Sequence, residues 1–488
     1  MNLKTLIQDV SSVRIVGDCT ENWEAVWIKG LSDDSRFVRA GDLFFCRRGN
    51  RFDTHEFAEE ARKKGAVAIV CERELPVKLP QILVDDSREA MGLMAAAFYG
   101  YPSRRIKIVG ITGTNGKTTT SYILSSILKE AGKAVGVIGT LGIYYGRKKI
   151  APELTTPDPI FLQKTLADMV QEGMEYAVME VSAHALHYKK DASIHYAACI
   201  FTNFSQDHLD FFASMSEYAE AKERLFLPKK CDVCVLNGDD ELGRKIGSKR
   251  ESGTFYYGLE TPCDAFAIVE KDEMGRLEFV LNLFDDLGRC LLGMTGLHNV
   301  YNALAAATCA RILGVPMSQI KKGISAMNGV KGRLEWVAEV SGAQVFVDFA
   351  HTPDGIEKSL LALRKHTKGR LVCLFGCGGN RDQSKRPMMG ERVALLADFA
   401  VLTSDNPRYE DPMDIIVAIE KGVRKHSNRY VIVPDREKAI EYALEILRTG
   451  DVLLVAGKGG ETSQEIMGIK YQLSDDDIIK KSIGGAGC

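Results

Sequence analysis

Long apolar runs are missing from this chain of 488 residues, and so is any imbalance of charge: 63 Lys and Arg stand against 65 Asp and Glu, a formal net charge of -2. No stretch approaches the about 18 consecutive apolar residues of a membrane helix. The segment Met1 to Asp9 has neither an apolar core nor a small-residue cleavage site, so a cytosolic location is expected. Scattered basic residues give neither nucleic acid nor a membrane surface an electrostatic footprint, so anionic groups of a ligand must be met locally. The 12 Cys residues are dispersed through strand-like and helix-like segments, which in a reducing cytosol argues for small buried side chains rather than disulfides. Cys231 and Cys234 have zinc-like spacing without a second Cys or His pair at a matching distance, and the strand-like run Val233 to Leu236 accounts for them. Fixed-period repeats are also absent, and Gly484 to Gly487 is expected to form a flexible tail.

What the chain does have is the stretch Ile106 to Thr120, where a β-branched run flows into a Gly-rich turn ending in Gly116-Lys117-Thr118. The backbone amides of Gly113, Thr114, Asn115, Gly116 and Lys117 are predicted to wrap an anion at the start of a helix from Thr118 to Glu130, where unpaired N–H groups and the helix dipole both favour negative charge. Lys117 would reach the β- and γ-phosphates of a nucleotide, with the Thr118 hydroxyl placed for Mg²⁺. Ile111 stands where the first Gly of the general pattern belongs, so this is a shortened variant of that loop.

A chain of this length exceeds one hydrophobic core and suits three domains. Residues 1–103 mix short strands and helices, including a helix-like Thr54 to Lys64 before Ala66 to Val70, and end at the turn-rich Gly100-Tyr-Pro102. Residues 104–331 alternate apolar runs (Tyr176 to Glu180, Ala197 to Thr202, Val233 to Leu236) with helical stretches, predicting a mostly parallel, helix-covered sheet. After Asn328 to Gly332 the runs Val345 to Phe349, Leu371 to Phe375, Phe399 to Thr403 and Val452 to Ala456 predict a second α/β domain over 332–488. The fold class is therefore α/β. Glu180 closes one apolar run, and Asp207-His-Leu-Asp210 follows another; open α/β sheets place their ligands at such strand ends. A carboxylate and the His208 imidazole beside a phosphate loop suit Mg²⁺ bridging ATP to a second substrate. Taken singly, these groups read equally well as helix caps and solvated charges.

The ordered set Gly113 to Thr119, Thr155-Thr-Pro157, Glu180-Val-Ser-Ala-His184, Phe201 to Asp210 and Val347 to Asp354 resembles the Mur ligase family, and the likeness runs from Asp34-Ser-Arg36 to Gly457-Lys-Gly-Gly-Glu461. The resemblance is to members adding the third amino acid in peptidoglycan precursor synthesis, and so serving cell-wall biogenesis, cell shape and division. It implies a UDP-binding N-terminal domain, a central ATP-binding domain and a Rossmann-like C-terminal domain that binds the amino acid. It further implies that ATP phosphorylates the terminal carboxylate of UDP-N-acetylmuramoyl-L-alanyl-D-glutamate, and that an incoming amine attacks the acyl phosphate. Such chemistry rests on positioning and electrostatics.

By resemblance Thr118, Glu180 and His208 hold Mg²⁺, and Lys222 is the lysine that the family carries as a carbamate, which would turn a cation into a metal-binding anion. From the residues alone Lys222 reads as a solvated lysine on an amphipathic helix. His298, Asn299, Arg333 and Asp348 match nucleotide-contacting positions, with Thr119 in the loop itself. Arg333 and Asp348 lie in or beside the third segment, so bound nucleotide would favour closure of that segment on the second. Asp33, Ser35, Asn50, Arg51 and Phe52 are expected at the UDP end, and Thr155, Thr156, Ser182, Tyr188 and Lys190 at the muramoyl peptide. Lys190 replaces a frequent Arg, which loses the guanidinium fork, and Tyr188 a frequent Gln.

The segment Asp405-Asn406-Pro407-Arg408 resembles the signature of members that add meso-2,6-diaminopimelate. Diaminopimelate differs from lysine by a distal carboxylate, which a guanidinium at Arg408 can bind through paired, charge-assisted hydrogen bonds. Glu461 offers an opposite charge to the distal ammonium, Arg381 a partner for the other carboxylate, and Gly457 close approach of backbone to ligand. L-lysine remains the alternative substrate. A folylpolyglutamate synthase shares the chemistry but lacks the first domain and the Asp405 to Arg408 signature, and a nucleotide switch or scaffold would leave Arg381, Arg408 and Glu461 without a role. The chain is expected to act as a monomer.

Overall fold

Aspartate, serine and threonine open many of the helices. Asp86, Asp240, Asp411 and Asp435, like Ser214 and Thr352, accept hydrogen bonds from first-turn backbone N–H groups, satisfying donors that a helix start leaves without partners. Pro159, Pro353 and Pro412 begin their helices, where a missing N–H costs nothing. The computed structural model describes residues 1–17, 22–49, 52–151 and 153–485. Asn50 and Arg51, expected at the UDP end, lie outside the described residues.

The chain divides into two units: Met1–Gly110 with Ala134–Ala198 and Leu227–Asp232, and Ile111–Lys133 with Cys199–Phe226 and everything from Val233 onward. The first unit carries a five-stranded sheet in the order Arg14–Val16, Gln81–Leu83, Ala68–Cys71, Asp42–Phe45, Gly30–Ser32. Only Arg14–Val16 runs antiparallel to its neighbour. Leu43 to Phe45 and Ala68–Cys71 are continuous buried apolar runs, as suits strands covered on both faces. The same unit pairs Tyr176–Glu180 in parallel with Val135–Gly139, which continues antiparallel into Gly142–Tyr145 and Lys148–Ile150. The expected helix over Thr54 to Lys64 is a 3-10 turn, Thr54–Phe57, followed by the α-helix Ala58–Lys63.

In the second unit the part of strand Cys231–Asn237 from Cys234 on pairs in parallel with Thr254–Gly258, and that strand with Ala265–Glu273; Cys231, on the first-unit side of the division, and Cys234 are both buried. An antiparallel meander then follows through Arg276–Leu283 and Asp286–Leu292. Its second turn is the two residues Phe284 and Asp285, both at positive φ, the geometry that matches strand twist in a tight hairpin. A six-stranded sheet follows in the order Glu335–Val340, Ala343–Asp348, Val452–Ala456, Leu371–Phe375, Phe399–Leu402, Tyr430–Ile432. All but the first strand are parallel.

Ile356, Met389 and Ile416 bring the helices Pro353–Arg364, Lys385–Leu396 and Pro412–Val423 into the core on one face of this sheet. Ile440 and Ile479 do the same for Arg436–Glu445 and Asp475–Gly485 on the other. Gly484 and Gly485, expected to start a flexible tail, instead close the last helix. Asp348, Gly376, Thr403 and Gly457 immediately follow or end parallel strands, so the chain gathers its chemistry at the carboxyl edge of the sheet.

Candidate active site

The phosphate loop lies in the second unit. Gly113 has φ +148° and Gly116 φ +86°; a Cβ on them would stand 1.9 Å from Thr202 Oγ1 and 2.4 Å from Asn302 Oδ1, so glycine is required at both. The helix begins at Lys117, one residue before the expected Thr118. Thr202 and Asn203 fasten the loop: Thr202 Oγ1 and Asn203 Nδ2 donate to Asn115 O at 2.6 and 3.0 Å, and Asn115 N donates to Asn203 Oδ1 at 2.9 Å. Lys117 Nζ arches back over the loop and donates to Gly113 O and Thr114 O, both at 2.9 Å. Arg333 donates to Thr118 Oγ1 at 2.8 Å, with its guanidinium 4.3 Å from the Phe349 ring centroid.

A cavity of about 660 Å³ opens beside this loop and collects Asn115, Gly116, Thr118 and Thr119 together with His298, Asn299, Arg333 and Asp348. That volume suits a small organic ligand. Asp348 accepts from Leu334 N at 3.2 Å and from the Ser359 hydroxyl, which fixes the carboxylate at the strand end. Burial lowers the pKa of His298 despite the nearby Asp348 carboxylate, favouring a neutral imidazole. Asn302, Tyr301 and Asp239 also line the cavity. Asn302 donates to Asn299 Oδ1 at 3.1 Å and accepts from Thr120 Oγ1 at 3.3 Å, tying the helix Leu297–Ile312 to the helix Lys117–Glu130 that follows the phosphate loop.

Beyond the loop, Asp207 is 4% exposed and receives Lys385 Nζ at 3.3 Å, His208 Nε2 at 3.3 Å and His351 Nε2 at 3.7 Å. Burial alone would raise its pKa, but His351, Lys385 and His208 together hold it well below the usual carboxylate range. Lys222, read from the sequence as solvated, is 1% exposed, with Nζ 4.5 Å from the Tyr218 ring centroid. Burial first, and the Lys117 ammonium second, push its pKa well below the ordinary lysine range. The solvated reading fails because helix Met215–Glu223 turns Tyr218, Ala219, Ala221 and Lys222 inward together.

At the carboxyl edge of the six-stranded sheet, buried Asp405 accepts from Asn406 N at 2.6 Å, and Asn406 Nδ2 donates to Glu461 Oε2 at 2.9 Å. Fully buried Lys458 joins the group, donating to Glu461 Oε2 at 3.0 Å and Ser463 O at 2.7 Å. Gly457 leaves no room for a side chain, since a Cβ would lie 2.5 Å from Asp405 Oδ2. Pro407 precedes Arg408, which is held at φ +53°, donates to Gly379 O at 2.8 Å and faces Glu465 at 3.4 Å. Arg381 is half exposed, 3.7 Å from Asp210. It meets Arg408 around Gly378, where a Cβ would be 2.9 Å from Arg408 Nη1 and 3.6 Å from Arg381 Cγ.

The first unit holds the remaining predicted residues. Glu180 is fully buried and accepts from Thr140 N and Thr140 Oγ1, each at 3.0 Å. Thr155 lies 3.2 Å from that hydroxyl, Thr156 donates to Glu180 O at 2.9 Å, and Ser182 N donates to Thr156 Oγ1 at 3.1 Å. A second cavity, about 220 Å³, is lined by residues including Arg47, Arg88, Tyr188 and Lys190. Lys190 pairs with Asp158 at 2.8 Å, Arg47 with Asp33 at 3.0 Å, and Arg88 stacks 4.0 Å from the Tyr188 ring centroid. Ser35 is buried and Phe52 is 69% exposed; neither lines this cavity.

Family models described as Mur ligase family, catalytic domain; Mur ligase middle domain; and Mur ligase, glutamate ligase domain match residues 27–99, 111–310 and 332–459. A UDP-N-acetylmuramoyl-L-alanyl-D-glutamate--2,6-diaminopimelate ligase of Geobacillus thermodenitrificans is 42% identical over 93% of this chain and 92% of its own length. The chain belongs to the Mur ligase family. A Clostridium acetobutylicum Mur ligase of the same name is 41% identical over 99% of both chains. A solved structure titled as that diaminopimelate ligase superposes with TM-score 0.68 at 29% identity, covering 96% of each chain.

Several residues of this Mur ligase's candidate site were not legible from motifs. Asn302 was within reach, because it lies one turn from Asn299 on the same helix face. Lys458 was within reach too, three residues before Glu461 in the quoted Gly457 to Glu461 motif, but Lys385 and Glu465 carry no local mark, and only the folded chain brings them to Asp207 and Arg408.

Proposed function

We propose that this Mur ligase joins the D-glutamyl carboxylate of UDP-N-acetylmuramoyl-L-alanyl-D-glutamate to an amino group of meso-2,6-diaminopimelate at the expense of ATP. The observation that carries this reading is the likeness to diaminopimelate ligases along more than nine-tenths of the chain. The cavity beside the phosphate loop supports ATP as the cosubstrate, and Arg408 with Glu461 supports an amino acid that carries both a distal carboxylate and a distal ammonium.

In this reading the loop amides and Lys117 hold the phosphates, so the carboxylate approaches the γ-phosphorus without facing the full charge of ATP. A carboxylate oxygen bonds to that phosphorus as its bond to the β-bridging oxygen breaks, and ADP leaves. The amine then attacks the acyl carbon; the tetrahedral adduct expels phosphate, and the nitrogen loses a proton to give the amide. Arg333, between Thr118 and Phe349, positions positive charge over the phosphate end. Asp207, fixed by Lys385 and His351, orients His208.

Among the described residues no three His, Cys, Asp or Glu side chains are placed as a metal cage. The donor chemistry of the second unit suits Mg²⁺: Thr118 would supply an oxygen, His208 a nitrogen, and Lys222 a carbamate. Burial supports that modification, since a lysine kept neutral is nucleophilic toward CO₂: a nitrogen–carbon bond forms, a proton leaves, and a carboxylate replaces the cation. When bound, Mg²⁺ would neutralise charge on the transferring phosphoryl group. We place the reaction in the cytosol, where ATP and the UDP-linked precursor are at hand. The test is oxygen transfer: with the glutamyl carboxylate labelled with ¹⁸O, released phosphate should carry one label per turnover. Unlabelled phosphate, with one label kept in the amide carbonyl and the other lost to water, would exclude the acyl phosphate.

A further inference from the structure

Arg436 is the largest fully buried side chain among the described residues. It is the first residue of the helix Arg436–Glu445, and its partner Asp475 is the first residue of the helix Asp475–Gly485. Nε donates to Asp475 Oδ1 and Nη2 to Asp475 Oδ2, both at 2.7 Å. The outer N–H groups of the same guanidinium reach two main-chain carbonyls: Nη2 donates to Ala456 O at 3.0 Å and Nη1 to Ser404 O at 3.3 Å. Ala456 is followed by Gly457, and Ser404 by Asp405. One side chain therefore ties together the two chain segments that deliver the candidate amino-acid site.

The register between these segments matters because they touch. Asp405 and Gly457 are packed so closely that no Cβ fits between them, and from Asp405 the chain of hydrogen bonds runs through Asn406 to Glu461. The Arg436 charge also helps to keep Asp405 ionised against its burial. Two packed apolar residues would hold the helices together as well as a buried ion pair, at lower desolvation cost. They would not hold the carbonyls of Ser404 and Ala456. Resting on the diaminopimelate reading above, we propose that Arg436, clamped by Asp475, is a positioning residue for the amino-acid site: it sets the spacing of Asp405 and Gly457, and through them the placing of Glu461.

The test uses the full chain with Arg436→Lys, which keeps a cation opposite Asp475 but cannot span both carbonyls, and Asp475→Asn, which keeps the shape but loosens the clamp. Both variants are expected to fold and to raise KM for diaminopimelate by roughly 10- to 100-fold, the scale of a displaced site. KM for ATP should stay within about twofold. An unchanged KM for diaminopimelate in folded Arg436→Lys would overturn the proposal. So would a parallel rise in KM for all three substrates, the mark of general loosening. Failure of both conservative variants to fold would also overturn it, since the pair would then hold the fold rather than tune the site. A wild-type chain with no diaminopimelate-dependent ADP release would instead refute the functional reading on which the proposal rests.

Discussion

At the scale of single residues, Lys222 and Arg408 show where local sequence stops informing. Lys222 sits between glutamates on a polar helix, and only the fold reveals that it is buried beside Tyr218, where an ammonium is disfavoured. The resemblance singled it out; spacing and composition did not. If Lys222 acts as a carbamate, Lys222→Ala should lose at least about 10²-fold in kcat, the scale of an electrostatic stabiliser. Added short carboxylic acids should then restore part of the activity by filling the vacated space, and full activity without them would contradict the role. Arg408 was legible as a residue because it closes a signature. Its conformation was not: the left-handed backbone is fixed by Arg408 N donating to Glu465 O at 3.0 Å and Met467 N donating to Arg408 O at 2.6 Å. Those partners lie on a hairpin that no local pattern joins to the signature.

At the scale of elements, the apolar runs read from the sequence match strands closely. Tyr176–Glu180, Leu371–Phe375 and Val452–Ala456 agree residue for residue, because strands buried on both faces are continuous apolar runs with clear ends. The meander Ala265–Leu292 was not separated, although Arg276–Leu283 alternates between buried and open positions, the period-2 signal of a half-covered strand. Its turn of Phe284 and Asp285 carries no glycine to announce it. Asp451 illustrates how one side chain secures strand ends. It takes Arg370 Nη2 at 2.6 Å, Arg370 N at 2.7 Å and Arg448 N at 3.0 Å. Burial would raise its pKa, but Arg370 and these N–H groups bring it below the ordinary 3.8. Between the folded and unfolded values the unfolded chain binds the extra proton, so the contribution is full above pH 3.8 and is lost as pH falls through the folded value. Asp451→Asn should cost about 1–3 kcal/mol at pH 7, shrinking on acidification below pH 3.8. Urea unfolding at the two pH values measures it; an equal loss at both would contradict the assignment.

At the scale of the whole molecule, the sequence carried the α/β class and the family, because ordered motifs along the full length constrain a chain more tightly than any one of them. His298, Asn299, Arg333 and Asp348, expected at the nucleotide and distant in sequence, share one cavity with the phosphate loop. The sequence could name them but not the amide chain through Asn302 that joins Asn299 to Thr120 on the helix after that loop, since such contacts arise only on packing. Every role proposed for these residues depends on the ligation itself. The most direct test supplies UDP-N-acetylmuramoyl-L-alanyl-D-glutamate and ATP with either meso-diaminopimelate or L-lysine, following ADP and identifying the amide by mass. ADP release is expected to depend on precursor and diaminopimelate together, with a diaminopimelate-containing tripeptide product and little reaction with lysine. A lysine product alone would contradict the assignment of Arg408, and ADP release without any amide would contradict the ligase.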